Sequence, residues 1–156
     1  MFSHASAEID ALLSHLGPQQ IEKIDWAYEN LKAGDAESIA AAMNSVRRLI
    51  DEFADAVFPA TDAVRTGADG KPINLGNQNR LNRVKAYIDD SSVSSTRKQR
   101  VKRSIGDLYG RVCAGLHKEV SSNEAEYLFL SAYVVLGEIL TLASDSALEP
   151  ADVDIE

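Results

Sequence analysis

Cysteine is nearly absent: Cys113 is the only one, so no disulfide can form within the chain. Histidine is scarce too. His4, His15 and His117 stand far apart, and with a single cysteine they supply no pair of zinc ligands. Residues 1–10 hold neither the basic start nor the apolar stretch of a secretory leader. The longest uncharged apolar-rich run, Tyr127 to Gly137, is shorter than the ~20 residues that span a bilayer. A cytoplasmic protein without membrane contact is the expectation. A glycine-rich phosphate loop, a nucleophile elbow and a histidine pair on one helix face are all missing, and no cofactor or metal site is legible. Glu52 and Asp55 lie three apart as paired carboxylates can, but without an accompanying Glu-x-x-His they read as a solvated face.

What is present is enough for one globular domain. The 156 residues are 45% hydrophobic and 26% charged, which allows a real core and excludes wholesale disorder. The net charge is −8, but it is unevenly spread. Between Arg80 and Lys118 there are ten basic and three acidic residues, a net +7, so the other 117 residues carry −15. An acidic protein with a basic middle can present one cationic face to a polyanion while the remainder discourages loose binding. The plainer alternative is a solvated basic helix face balanced by acidic neighbours.

Apolar periodicity predicts an all-α bundle of five to six helices. The first helix runs from Ala5 to Leu16 and closes at Gly17-Pro18. The second, opened by Pro18, carries Ile21, Ile24, Tyr28 and Leu31 and stops near Gly34. Trp26 and Tyr28 fall in its apolar pattern and read as core. Asp35 caps a third helix whose Ile39, Met43, Val46, Ile50, Phe53 and Val57 recur at spacings of three and four up to Pro59. Residues 59–77 form a long loop with no strand pair strong enough to read as a sheet. A fourth helix covers Asn77 to Asp89, and a fifth Thr96 to Ala114, with Gly115 as a left-handed cap. The capping box Ser121-Ser122-Asn123-Glu124 opens the last helix, 122–142, which is apolar over most of its circumference. Residues 1–34 read as an added helical pair, 35–142 as the bundle, and 143–156 as an acidic tail.

Two features carry chemistry. Arg97, Lys98, Arg100, Lys102 and Arg103 crowd the first turns of the fifth helix, where the helix dipole prefers acids, so something other than helix stability accounts for them. Together with Lys118 they are candidate RNA-backbone contacts. The second feature is Arg111-Val-Cys-Ala-Gly-Leu-His117. In a continuous helix, at about 100° per residue, Arg111 and His117 would stand roughly 120° apart; a break at Gly115 can turn His117 back. A fixed guanidinium, an imidazole titrating near neutrality and the free N–H groups of a following helix suit an RNA phosphodiester. The plainer alternatives are that His117 bonds a helix-terminal carbonyl and that Arg111 pairs with Asp107 one turn back. Cys113, between them, reads as a small buried thiol.

An arginine, five residues and a histidine, placed just before the last long helix of an all-α domain, resemble the signature of the HEPN superfamily. SVRRLIDEFADAVFPA (45–60), GNQNRLNRVKAYIDD (76–90) and GLHKEVSSNEAEYLFLSAYVVLGEIL (115–140) are similar to HEPN-type domains of bacterial proteins, many of them linked to phage defence. The resemblance covers roughly residues 40–142. It implies a bundle that dimerises with two motif copies facing each other. It also implies a metal-independent endoribonuclease leaving cyclic 2′,3′-phosphate ends, with Arg111 and His117 as the catalytic pair, acting as a toxin or defence effector under a regulatory or antitoxin partner. Val112 stands where the family often has a polar residue, and some related domains are non-catalytic modules. The alternative is therefore an inactive HEPN-like module that dimerises and binds RNA, a nucleotide or a partner protein.

Overall fold

The computed structural model describes residues 2–17, 19–115 and 120–145. Among these are six α-helices, α1 (Phe2–Ser14), α2 (Gln19–Ala33), α3 (Ala36–Val57), α4 (Arg80–Asp90), α5 (Ser95–Gly115) and α6 (Ser122–Asp145), and one hairpin, β1 (Val64–Thr66) and β2 (Pro72–Asn74). The all-α bundle expected from the periodicity is the observed architecture.

α3 is its centre, packed by α2, α4, α5 and α6. The reason is its stripe: Ile39, Met43, Val46, Ile50 and Phe53 are buried, joined by Ala42, Leu49 and Ala54. Asp35 starts the helix as anticipated. One carboxylate oxygen accepts the Ser38 N–H at 2.9 Å and the other the Ser38 hydroxyl at 2.7 Å. The hydroxyl bond is the main reason the Asp35 carboxyl is held below the usual carboxylate range. Before Asp35, Gly34 ends α2 at φ +74°, a left-handed conformation that disfavours a side chain.

The loop expected at 59–77 holds the antiparallel hairpin, a structure the sequence did not announce. Val64 faces Asn74, Arg65 faces Ile73 and Thr66 faces Pro72. Each strand has three residues whose flanking members are exposed, so there is no alternating apolar signal to read. Turn chemistry closes it: the Gly67 N–H donates to the Lys71 carbonyl at 2.7 Å, and the Lys71 N–H to Asp69 Oδ1 at 3.1 Å. Two strands alone are marginal. This pair is tied down from outside. Both Arg65 Nη groups donate to Asp90 at the end of α4, each at 2.7 Å, and the guanidinium lies over the Phe58 ring.

Other differences are local. α4 begins at Arg80 rather than Asn77, because Gly76 to Asn79 make a turn closed by the Asn79 N–H on the Gly76 carbonyl at 2.9 Å. Gly115 is the last residue inside α5 rather than a cap beyond it. α6 continues to Asp145, so three residues assigned to the tail are helical; residues 146–156 lie outside the described residues. Trp26 and Tyr28 are not core: they are 53% and 46% exposed. Ile24, Ala27 and Leu31 fill the inner face of α2, and Tyr28 flanks it with its ring 5.8 Å from Phe129.

α1 and α2 pack onto the bundle, α1 against α6 and α2 against α3. The seat for α1 is Gly137, where an added Cβ would stand 2.7 Å from Ile9 Cγ1. Nearby, the Tyr133 hydroxyl faces the Ser6 carbonyl at 2.8 Å and Asp10 Oδ1 at 2.7 Å. Burial, then Asp10, pushes this phenol well above its ordinary pKa. α6, with 24 residues, is long and apolar enough to cross a membrane by length and composition alone; in the bundle α1, α2, α3 and α5 pack on it.

Candidate active site at the α5–α6 junction

Arg111 stands one turn before the end of α5, half-exposed. Its Nε and Nη2 both donate to Oε1 of Glu124 in the first turn of α6. The sequence alternative, a pair with Asp107, is not the arrangement found. Glu124 also explains how α6 begins. Its N–H donates to Ser121 Oγ at 3.2 Å, the serine half of the anticipated capping box, while its carboxylate reaches across to Arg111. One glutamate thus ends the gap between the two helices and fixes the guanidinium.

A groove of about 370 Å³ runs beside Arg111. Ser104, Asp107 and Leu108 line it from α5, and Leu128, Ser131 and Val135 from α6. On the open side of α6, Tyr127, Leu130 and Val134 are each more than half exposed. Their spacing of three and four puts them on one helix face. His117 and Lys118 lie outside the described residues, so the histidine half of the expected catalytic pair has no geometry here.

The expected RNA contacts of α5 are mostly engaged within the fold. Arg97 Nη2 donates to Asp145 at 2.6 Å, and Arg100 to Glu138, both acids of α6. Lys102 donates to Asp89 Oδ1 at 2.6 Å, and Lys98 to the Asp89 carbonyl at 3.0 Å, both at the end of α4. Arg103 is exposed, with no ion-pair partner among the described residues. This is a physical reason for cations at an unfavourable helix start. Arg97, Lys98 and Lys102 face the C-terminal turns of α6 and α4, whose dipole ends and carboxylates favour positive charge, while Arg100 meets Glu138 two turns before the end of α6.

Several polar groups were missed in the sequence. Arg83 is fully buried; its guanidinium donates to the Phe58 carbonyl at 2.8 Å, to Asp55 at 2.6 Å and to the Asn77 carbonyl at 3.3 Å. It staples both ends of the 59–77 segment to α4. Asp51 accepts the Tyr109 hydroxyl at 3.1 Å, with Arg47 Nε and Arg80 Nε each 3.8 Å from its oxygens. Burial, then the Asp51 charge, pushes the Tyr109 phenol up to about 12. The available signal was position: Arg80 and Arg83 share a face of α4 with the apolar Val84 and Ile88. Cys113 is half-buried rather than buried. Glu52 and Asp55 are held by Lys23 and Arg83. Among the described residues no three His, Cys, Asp or Glu side chains converge as a metal site would require.

The chain matches no protein-family model, no curated protein and no solved structure.

Proposed function

We propose that this protein is a HEPN-like, metal-independent endoribonuclease acting as a homodimer, with Arg111 and His117 as its catalytic pair. One observation carries the reading: Arg111 is half-exposed, oriented by Glu124, and sits on a groove wall beside an exposed apolar face of α6. Two copies meeting through Tyr127, Leu130 and Val134 bring two such grooves toward one interface. His117 moves the proton of the 2′-hydroxyl or of the leaving group. The remaining N–H groups of Arg111 hold the phosphate and offset its developing charge. Arg103 and Lys118 bind the RNA backbone, and Arg97, Lys98, Arg100 and Lys102 exchange their present partners for phosphates. A metal and a cofactor have no part in this chemistry. A regulatory protein partner holds such an enzyme in check, as in a toxin or phage-defence effector of the cytoplasm.

A second reading is favoured by a specific observation. Arg111, Arg97, Arg100 and Lys102 are already bonded to carboxylates. This suits a non-catalytic HEPN-like module that dimerises and binds RNA, a nucleotide or a protein partner. RNA cleavage in EDTA, wild type beside His117→Ala, separates the two. Cyclic phosphate ends from wild type alone support the nuclease. Cleavage that survives the substitution, or that EDTA abolishes, sinks it, and a folded dimer that never cleaves favours the module.

A further inference from the structure

A second groove, of about 440 Å³, lies on another side of the molecule, between the β1–β2 hairpin and the α4–α5 pair. Its charged lining is mostly self-compensated. Arg65 is taken by Asp90, Lys102 by Asp89 at 2.6 Å, and Lys71 stands 3.6 Å from Asp69. Lys85 is the exception. Its natural partner on α4, one turn on, is Asp89, whose carboxylate is bonded to Lys102 from α5. Lys85 instead lies across α5 over Gly106, its Nζ 3.6 Å from where a Cβ at that position would stand. It has no ion-pair or hydrogen-bond partner among the described residues, so the groove holds one uncompensated ammonium beside a second one.

Three features say what such a groove takes. The excess charge calls for an anion, in a chain whose net −8 otherwise repels anions. Lys85, Lys102 and the second amide N–H of Asn82, whose first is used on the Asn74 carbonyl at 3.1 Å, offer three donors, which match the three free oxygens of a phosphate better than the two of a carboxylate. Pro72, Ile73 and Ala86 add an apolar surface where a ribose or base can lie, and the volume is ordinary for a small-molecule site.

We propose that this groove binds the phosphate monoester of a ribonucleotide, free or at the end of a strand, through Lys85 and Lys102. The proposal does not rest on the Arg111 reading. It requires no turnover, and its key residue, Lys85, takes no part in the α5–α6 site.

The test is calorimetric titration of the full chain with 5′-AMP, with adenosine and with a 5′-phosphorylated single-stranded RNA hexamer of adenylate. AMP binding with none by adenosine is expected, and Lys85→Gln weakens it about tenfold, the worth of one charged hydrogen bond. Arg48→Gln, the same charge change at an exposed position of α3, changes it by less than about twofold, since distant surface charges are screened. Binding of the hexamer but not AMP, with the same Lys85 dependence, supports the groove with a strand as the source of the phosphate. Adenosine binding as well as AMP, affinity indifferent to Lys85→Gln, or no binding of AMP or hexamer at millimolar concentration overturns the proposal. Should Lys85→Gln unfold, amide shift mapping of wild type decides. AMP must perturb residues 64–74 and 82–89, and perturbation confined elsewhere contradicts the assignment.

Discussion

Arg111 and Glu124 close an ion pair across the junction of α5 and α6, with two guanidinium nitrogens on one carboxylate oxygen. The pair spans residues 116–119, the segment that carries His117. It gives the arginine a fixed direction without burying it, which is what a phosphate-holding side chain needs.

Where α1 crosses α6, Gly137 leaves room only for Ile9. A methyl group there would come within 2.9 Å of two Ile9 carbons, and Ile is stiff at its branch point. Gly137→Ala is expected to cost about 1–3 kcal/mol in urea unfolding, as overpacking does. Adding Ile9→Ala should recover part of that loss, making the pair non-additive. Full additivity would mean the two residues do not meet.

The buried Arg83 predicts a larger loss. Arg83→Leu leaves the Phe58 and Asn77 carbonyls without their donor and Asp55 without its cation. Asp55 is half-exposed and stays hydrated, so the expected cost is about 3 kcal/mol, at the low end for a broken buried pair. A variant as stable as wild type in urea would show that the staple carries nothing.

The hairpin should be sensitive to acid. Hydrogen bonding from Arg65 is the largest reason the Asp90 carboxyl is held below the usual carboxylate range. A lowered folded pKa means the contribution is complete above the unfolded value of about 3.9 and fades as the pH falls below it, through the folded value. Amide signals of residues 64–74 should therefore broaden or shift below about pH 4, while those of α3 hold. Asp90→Asn should show the loosened hairpin already at neutral pH.

The exposed stripe of α6 bears on the dimer. Leu130→Asp or Val134→Asp is expected to convert a dimer to a monomer in sedimentation with little change in the helical signal, because neither residue is core. A wild-type protein that is monomeric at all concentrations would count against both functional readings.

Much of the bundle was legible because α3 writes its inward face in large apolar residues at helical spacing, and Asp35 and Gly34 mark its start and the end before it. The hairpin was not legible. Val64–Thr66 and Pro72–Asn74 are short and mostly exposed, and what holds them is a long-range bond from Arg65 to Asp90. Tyr28 misled for a related reason. An aromatic ring can flank a core while half of it stays in water, so spacing alone overstates its burial. The cations of α5 could be seen to be misplaced for their own helix, but their partners Asp89, Glu138 and Asp145 belong to other helices and only folding brings them near. Of the candidate site, Arg111 was found from spacing, while its partner Glu124 looked like a capping residue only.

The most direct test of the central claim is the rate of RNA cleavage in EDTA by wild type, Arg111→Ala and Glu124→Gln. If Arg111 holds the reacting phosphate, Arg111→Ala loses at least about a hundredfold in rate, the scale of one removed transition-state donor. Glu124→Gln, which keeps the guanidinium but loosens its direction, falls in between. Arg111→Ala cleaving as fast as wild type, with the same product ends, would contradict the account.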